Sequence, residues 1–271
     1  ILPAKDIKSQ VYAANVPMVC SKCHSDGGLM KQYGIPTDQF AKYSNSVHGV
    51  ALMKKGDVAA PACNDCHGNH GATPPGLESI SKVCGTCHVL NADLFSQSPH
   101  KKAFDDRKIP ECETCHGNHE ILTATNKLIG TTPDAVCSKC HSQKENTKGY
   151  LAAADMRKLL DSLSADELKA IKLIEDAETK GMEVSEPKYK LRSVRQTRLE
   201  AKTIIHAFDR AKLSEVTNKG FALANEIKAE GKSAVDEFYF RRWGLILATL
   251  IISSLALMLY IFIRRMEKKK T

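Results

Sequence analysis

The hydrophobic pattern divides the 271-residue chain into three stretches of different texture. The last is the plainest. Trp243 to Ile263 runs 21 residues without a charge, long enough to span a bilayer as a helix. Arg241, Arg242 and Trp243 mark one interface, and Tyr260 with the Arg264 to Lys270 cluster marks the other. Upstream, from about Gly149, Ala, Leu, Glu and Lys dominate, and Leu159, Leu160, Leu163 and Leu168 recur near helical spacing. Ser164-Ala-Asp-Glu167 reads as a capping box opening a new helix, Gly181 as a stop, and Pro187 as a break before a long helix through His206. Gly220 and Gly231 read as interruptions of the helical stretch beyond His206. Residues 1–148 show little regular pattern. The expected fold is mainly α: a domain over 1–148 with little regular structure, a helical hairpin or small bundle over 149–240 packing on it, and a transmembrane anchor with a short basic tail over 241–271.

Cysteine changes the picture of the first stretch. All ten lie between Cys20 and Cys140, each in a pair two residues apart, and each pair is followed at once by histidine. The motifs are Cys20-x-x-Cys23-His24, Cys63-x-x-Cys66-His67, Cys84-x-x-Cys87-His88, Cys112-x-x-Cys115-His116 and Cys137-x-x-Cys140-His141. None is left over for a disulfide. C-x-x-C-H is the attachment sequence of c-type haem. On a helical turn, positions i, i+3 and i+4 share a face, so two thiols reach one porphyrin edge and the histidine reaches the iron. Paired C-x-x-C units also build zinc ribbons, but a ribbon needs no histidine after each pair. Five covalently attached haems are therefore expected, with a porphyrin-packed first domain.

Histidine sharpens the count. Five of the ten are in the motifs; the others are His48, His70, His100, His119 and His206. Five haems then face five further histidines, the number that makes every iron bis-histidine. Met18, Met30 and Met53 are the fallback axial ligands, each also readable as a packing residue. His206 follows a helical run in which Ala201, Ile205 and Phe208 suggest an apolar face, so a helix histidine at the core edge is its plainer reading.

The histidines recur in a duplicated order. One unit starts at Val19-Cys20 and runs through Ser46 and His48 to Cys63-x-x-Cys66-His67-Gly-Asn-His70; the next starts at Val83-Cys84 and runs through Ser98 and His100 to Cys112-x-x-Cys115-His116-Gly-Asn-His119. His70 and His119 follow a proximal histidine too closely to curl round the same haem, so each is expected to serve a neighbouring one. Gly68 and Gly117 would let the chain turn away. A third unit starts at Val136-Cys137 and carries one motif only, leaving a distal position for His206. Ser9-Gln-Val11-Tyr12-Ala is a degenerate echo of the Ser46 segment, with tyrosine for histidine.

The Ser-x-His and Cys-x-x-Cys-His-Gly-Asn-His pattern, over about residues 9–141, resembles the multihaem cytochromes with doubled C-x-x-C-H motifs, relatives of the cytochrome c3, tetrahaem c554 and NapC/NirT-like groups. That resemblance implies periplasmic electron transfer through closely packed, mostly bis-histidine haems. NapC/NirT-like quinol dehydrogenases are anchored at the N-terminus, whereas here the apolar segment is C-terminal, so their quinol site cannot be carried over.

The formal charge of +8 adds little, because haem propionates offset it and the C-terminal residues supply much of it; no nucleic-acid partner is expected. The chain starts at Ile1 without a charged-then-apolar leader, as a mature chain whose signal peptide has been removed would. The heavier positive cluster places the C-terminus in the cytoplasm and the first domain in the periplasm, as a single-pass inner-membrane protein. The expected role is electron transfer in a respiratory chain, with no catalytic residue, from a quinol-oxidising or cytochrome b-type membrane partner to periplasmic redox proteins. Two other readings stand beside it: a reductase of small nitrogen or sulfur oxyanions with one open haem, and a structural subunit whose Ala248, Ser253, Ser254 and Ala256 pack among partner helices.

Overall fold

The computed structural model describes residues 2–69, 73, 74 and 76–268. Among them every regular element is helical. The chain forms two compact units, Ile1–Leu159 with Lys202–Leu213, and Leu160–Ala201 with Ser214–Thr271.

The first unit is built of short helices. Three carry attachment motifs or their flanks: α1 (Val16–His24), α2 (Cys63–His67) and, later, α5 (Cys112–His116). Between them run α3 (Val89–Ser96) and α4 (Pro99–Arg107). The motifs at Cys84 and Cys137 lie instead on 3-10 turns, Ile80–Thr86 and Val136–Lys139. The helical turn expected at every motif thus holds in α form at three. At the other two the tighter turn still closes with an i to i+4 bond, from His88 N to Cys84 O and from His141 N to Cys137 O, both 2.9 Å. Few large apolar side chains of this unit are fully buried: Leu52, Leu213 and Pro17. Its aromatic centre is Phe95, with Phe104 at 5.4 Å and Phe208 at 6.4 Å, both edge-on.

The second unit takes its material from α6 (Thr147–Thr179), α7 (Ser185–Ile204) and α8 (Arg210–Lys268). Its core gathers Ala170, Ile174, Ala177, Val184, Val194, Ala224 and Ile227. Lys190 reaches Glu226 and Glu230, each at 2.7 Å, and Arg198 pairs with Glu167.

Several sequence-derived boundaries need correction. Ser164 opens no helix; it lies inside α6 and its hydroxyl donates to Leu160 O at 2.9 Å. Pro187 sits in the first turn of α7, where the missing N–H has no helical acceptor to lose. Gly220 and Gly231 do not interrupt α8. A Cβ on Gly220 would stand 2.7 Å from Leu163 Cδ1, and one on Gly231 3.1 Å from Ile174 Cδ1, so both glycines let helices approach. Gly181 does end α6, two residues after Thr179, with φ +76.

Among the described residues, none covers the apolar end of α8. Leu255 and Phe262 are 60% and 61% exposed, and the apolar window carries no burial at all. A core helix would be covered; a helix this long and apolar on all sides suits lipid.

Candidate haem-attachment sites

All ten thiols are free. The attachment segments are neighbours in chain order. Helix α1 packs against α2, α2 against the Ile80–Thr86 turn, and that turn against α5. The thiols follow suit. Burial, with Cys20 alongside, pushes the Cys63 thiol up to about 12. A hydrogen bond between Cys84 and Cys112 lowers the first to about 7 and raises the second. Cys115 is raised by burial and by Cys137 and Cys140. Downstream of α2 and α5 the chain turns at Gly68 (φ +73) and Gly117 (φ +75), a conformation that favours glycine and takes the backbone away from the motif, as expected.

The imidazoles fall into pairs. His48 faces His88 with ring centroids 6.2 Å apart, His67 faces His119 at 5.8 Å, His100 faces His141 at 5.7 Å, and His116 faces His206 at 6.0 Å. Each pair joins one motif histidine to one outside the motifs. Two metal–imidazole bonds of about 2 Å, with ring nitrogens about 1 Å from their centroids, separate two axial ligands by roughly 6 Å. The spacings match. The residues therefore fit haem iron held between two histidines. In the His100–His141 pair the two Nε2 atoms point at each other across 3.5 Å, somewhat short of that requirement.

The surroundings favour the neutral imidazole that metal coordination requires. Burial depresses the His48, His100, His116, His119 and His206 imidazoles below their ordinary range, which favours the neutral, coordinating form. His206 Nδ1 donates to Thr203 O at 2.9 Å, leaving Nε2 as the nitrogen available to a metal. The Asn146 amide lies 2.6 Å from His141 Nδ1, which likewise turns Nε2 toward His100. The repeated Ser-x-His has a clear local reason. Ser46 and Ser98 are buried, and each hydroxyl donates back three residues, to Tyr43 O at 2.7 Å and to Phe95 O at 2.6 Å. Each serine stands just before a helix, so the histidine two residues on always leaves from its first turn.

Of the ten expected ligands, eight are thus brought together in four pairs. His24 is exposed, and among the described residues no imidazole faces it. His70 lies outside the described residues. Met18 is exposed and Met30 buried. His206 leaves the helix it was expected on and occupies a 3-10 turn, Ile205–Ala207. Three contributors escaped the sequence. Phe208, left-handed at φ 49, brings its ring 3.9 Å from His100. Asn146 has no repeat counterpart. Gly149 is required because a Cβ there would fall 2.1 Å from His141 Nδ1.

Residues 100–146 match the protein-family model described as "Doubled CXXCH motif". The stretch holds the fourth and fifth motifs together with His100, and so cuts across the repeat phase read from the sequence. No curated protein and no solved structure matches the chain. With a doubled CxxCH haem-binding motif and a C-terminal membrane-spanning helix, the chain is consistent with the multihaem c-type cytochromes at large rather than with one named family.

Proposed function

We propose that this protein is a membrane-anchored pentahaem cytochrome c that carries electrons without transforming a substrate. Covalent haem c, bound at Cys20/Cys23, Cys63/Cys66, Cys84/Cys87, Cys112/Cys115 and Cys137/Cys140, supplies one-electron redox chemistry. One observation carries the reading: every described histidine outside the motifs faces a motif histidine with ring centroids 5.7–6.2 Å apart, close to the span of one metal between two imidazoles. Two histidines on an iron leave no position for substrate, and histidine in place of methionine keeps the potential low. The sparse core of the first unit supports the same reading, since five porphyrins would supply the apolar mass its side chains do not.

The anchor holds this domain at a membrane. Arg264, Arg265 and Lys268 follow the apolar stretch and favour a cytoplasmic C-terminus, with the haem domain in the periplasm. A quinol-oxidising or cytochrome b-type membrane protein is the donor this placement suits, and periplasmic redox proteins are the acceptors. The oxyanion-reductase reading keeps one foothold, the first site, where His24 is exposed.

Haem quantified as pyridine haemochrome and low-temperature EPR of the oxidised protein test the proposal. Five low-spin haems per chain, unmoved by cyanide or nitrite, are expected. A high-spin haem that binds nitrite would replace electron transfer with reduction.

A further inference from the structure

The two repeated units could each be self-contained, every distal histidine serving a haem of its own unit. The geometry points elsewhere. His48, in the first unit, faces His88, the motif histidine that opens the second. His119, at the end of the second unit, faces His67, the motif histidine that closes the first. The planes of both pairs are close to parallel, at 26° and 20°.

The crossing is tied. Val47 is the first residue of the short helix Val47–Gly49, so its N–H is one of those that a helix start leaves without an acceptor. It donates instead to Ile121 O at 2.8 Å, two residues beyond His119. The residue just before one distal histidine is thereby joined to the segment just after the other. The attachment segments of the same two sites, α2 and the Ile80–Thr86 turn, also pack side by side.

We propose that the repeated units exchange distal ligands: His48 caps the iron of the haem at Cys84/Cys87, His119 caps that of the haem at Cys63/Cys66, and the Val47–Ile121 bond locks the two crossing segments together. The assignment rests on the pentahaem reading and adds to it which histidine serves which site. The remaining pairs continue the pattern, with His100 crossing to the Cys137/Cys140 site and His206 to the Cys112/Cys115 site.

The test uses the full-length, haem-loaded protein and CO binding to the reduced form. His48→Ala should add one CO-binding haem per chain to whatever the parent shows. Cys84→Ala marks the third site, because a haem held by one thioether keeps a vinyl group and its absorption band moves to the red. In the His48→Ala, Cys84→Ala double variant the added CO-binding haem should be the red-shifted one. If the single-thioether site fails to load, the count falls to four and His48→Ala should then add no CO-binding haem. An unshifted CO-binding haem in the double variant, or a new one in the four-haem protein, overturns the exchange. Should the alanine variants not accumulate, His48→Met keeps a ligand in place; the haem whose potential rises must again be the red-shifted one. Fewer than five haems in the unsubstituted parent would refute the pentahaem reading, and that count is made independently of the exchange.

Discussion

Ser46 offers a quantitative check on how the distal ligands are held. Its side chain is fully buried and works twice, donating to Tyr43 O at 2.7 Å and accepting from Gly49 N at 3.0 Å. Ser46→Ala removes the helix cap and strands the Gly49 N–H in a buried position. Loss of such a cap costs about 1 kcal/mol, and an unsatisfied buried donor about 1–3 kcal/mol. The two figures overlap, because the stranded donor is the capped one, so about 1–2 kcal/mol is the working value. His48 stands two residues on. If half or more of that energy holds its ring in place, the ring detaches roughly two to thirty times more readily, at about 1.4 kcal/mol per factor of ten. The assay is the slow displacement of a histidine from the oxidised protein by excess cyanide, followed long after the mixing time in which a closed iron shows no change, so that ring detachment limits the rate. Ser98→Ala is the internal comparison. Ser98 keeps only the backward bond to Phe95 O, and the Lys101 N–H three residues on already bonds Ser98 O at 3.1 Å, so the substitution strands no donor. Ser46→Ala should therefore accelerate one haem clearly more than Ser98→Ala does. Equal rates in the two variants, or no change with Ser46→Ala, would refute the idea that the serine cap positions the ligand.

Three further outcomes are expected. The His100 and His141 planes cross at 82°, against 20° to 26° for the other three pairs, so the EPR spectrum should contain one highly anisotropic low-spin signal beside more rhombic ones, and a wholly rhombic spectrum would count against these ring orientations. Gly149→Ala should disturb only the haem at Cys137/Cys140, seen as loss of that anisotropic signal with the haem count unchanged. Gly220→Ala should destabilise the second unit by about 1–3 kcal/mol through overpacking against Leu163, and Gly231→Ala by less, measured as a lower melting temperature of the helical signal; the reverse order would contradict the packing.

The attachment chemistry was open to sequence reading because it is local. Two thiols and a histidine must lie on one turn, and that constraint is written within five residues at each of the five motifs. The turn at Gly117 and the lipid-facing stretch of α8 are also local, one set by backbone freedom and the other by composition. The partner of each distal histidine was not legible. His100 meets a histidine 41 positions away, and nothing near either residue encodes that meeting. The helix boundaries failed for a related reason. Gly220 and Gly231 look like breakers when propensity alone is weighed, yet contact with Leu163 and Ile174 demands the absence of a side chain there. Small residues are ambiguous until the opposing surface is known.

The proposed ligand exchange has a consequence for how the chain is assembled. Attachment uses thiols already side by side in sequence, so a haem can be bound covalently before the chain is compact. Its second histidine comes from far along the chain, and that bond forms only once the intervening segment has closed. Loop closure costs entropy that grows slowly with length, so long separations are tolerated once a strong bond rewards them. Metal ligation then contributes directly to folding free energy. A short-helix domain with few buried apolar side chains needs such a contribution, and reciprocal ligation distributes it. Loosening His48 in one unit also loosens Ile121 through Val47, and with it the segment that carries His119. Val47→Pro breaks this link, since proline is well suited to the first position of a helix and its ring takes the place of the N–H; Val47→Ala controls for the lost side chain. Two haems, those at Cys63/Cys66 and Cys84/Cys87, should then become accessible to cyanide together, with a loss of about 1 kcal/mol from the single hydrogen bond. Accessibility gained at one of them alone would mean that the crossing segments are held independently.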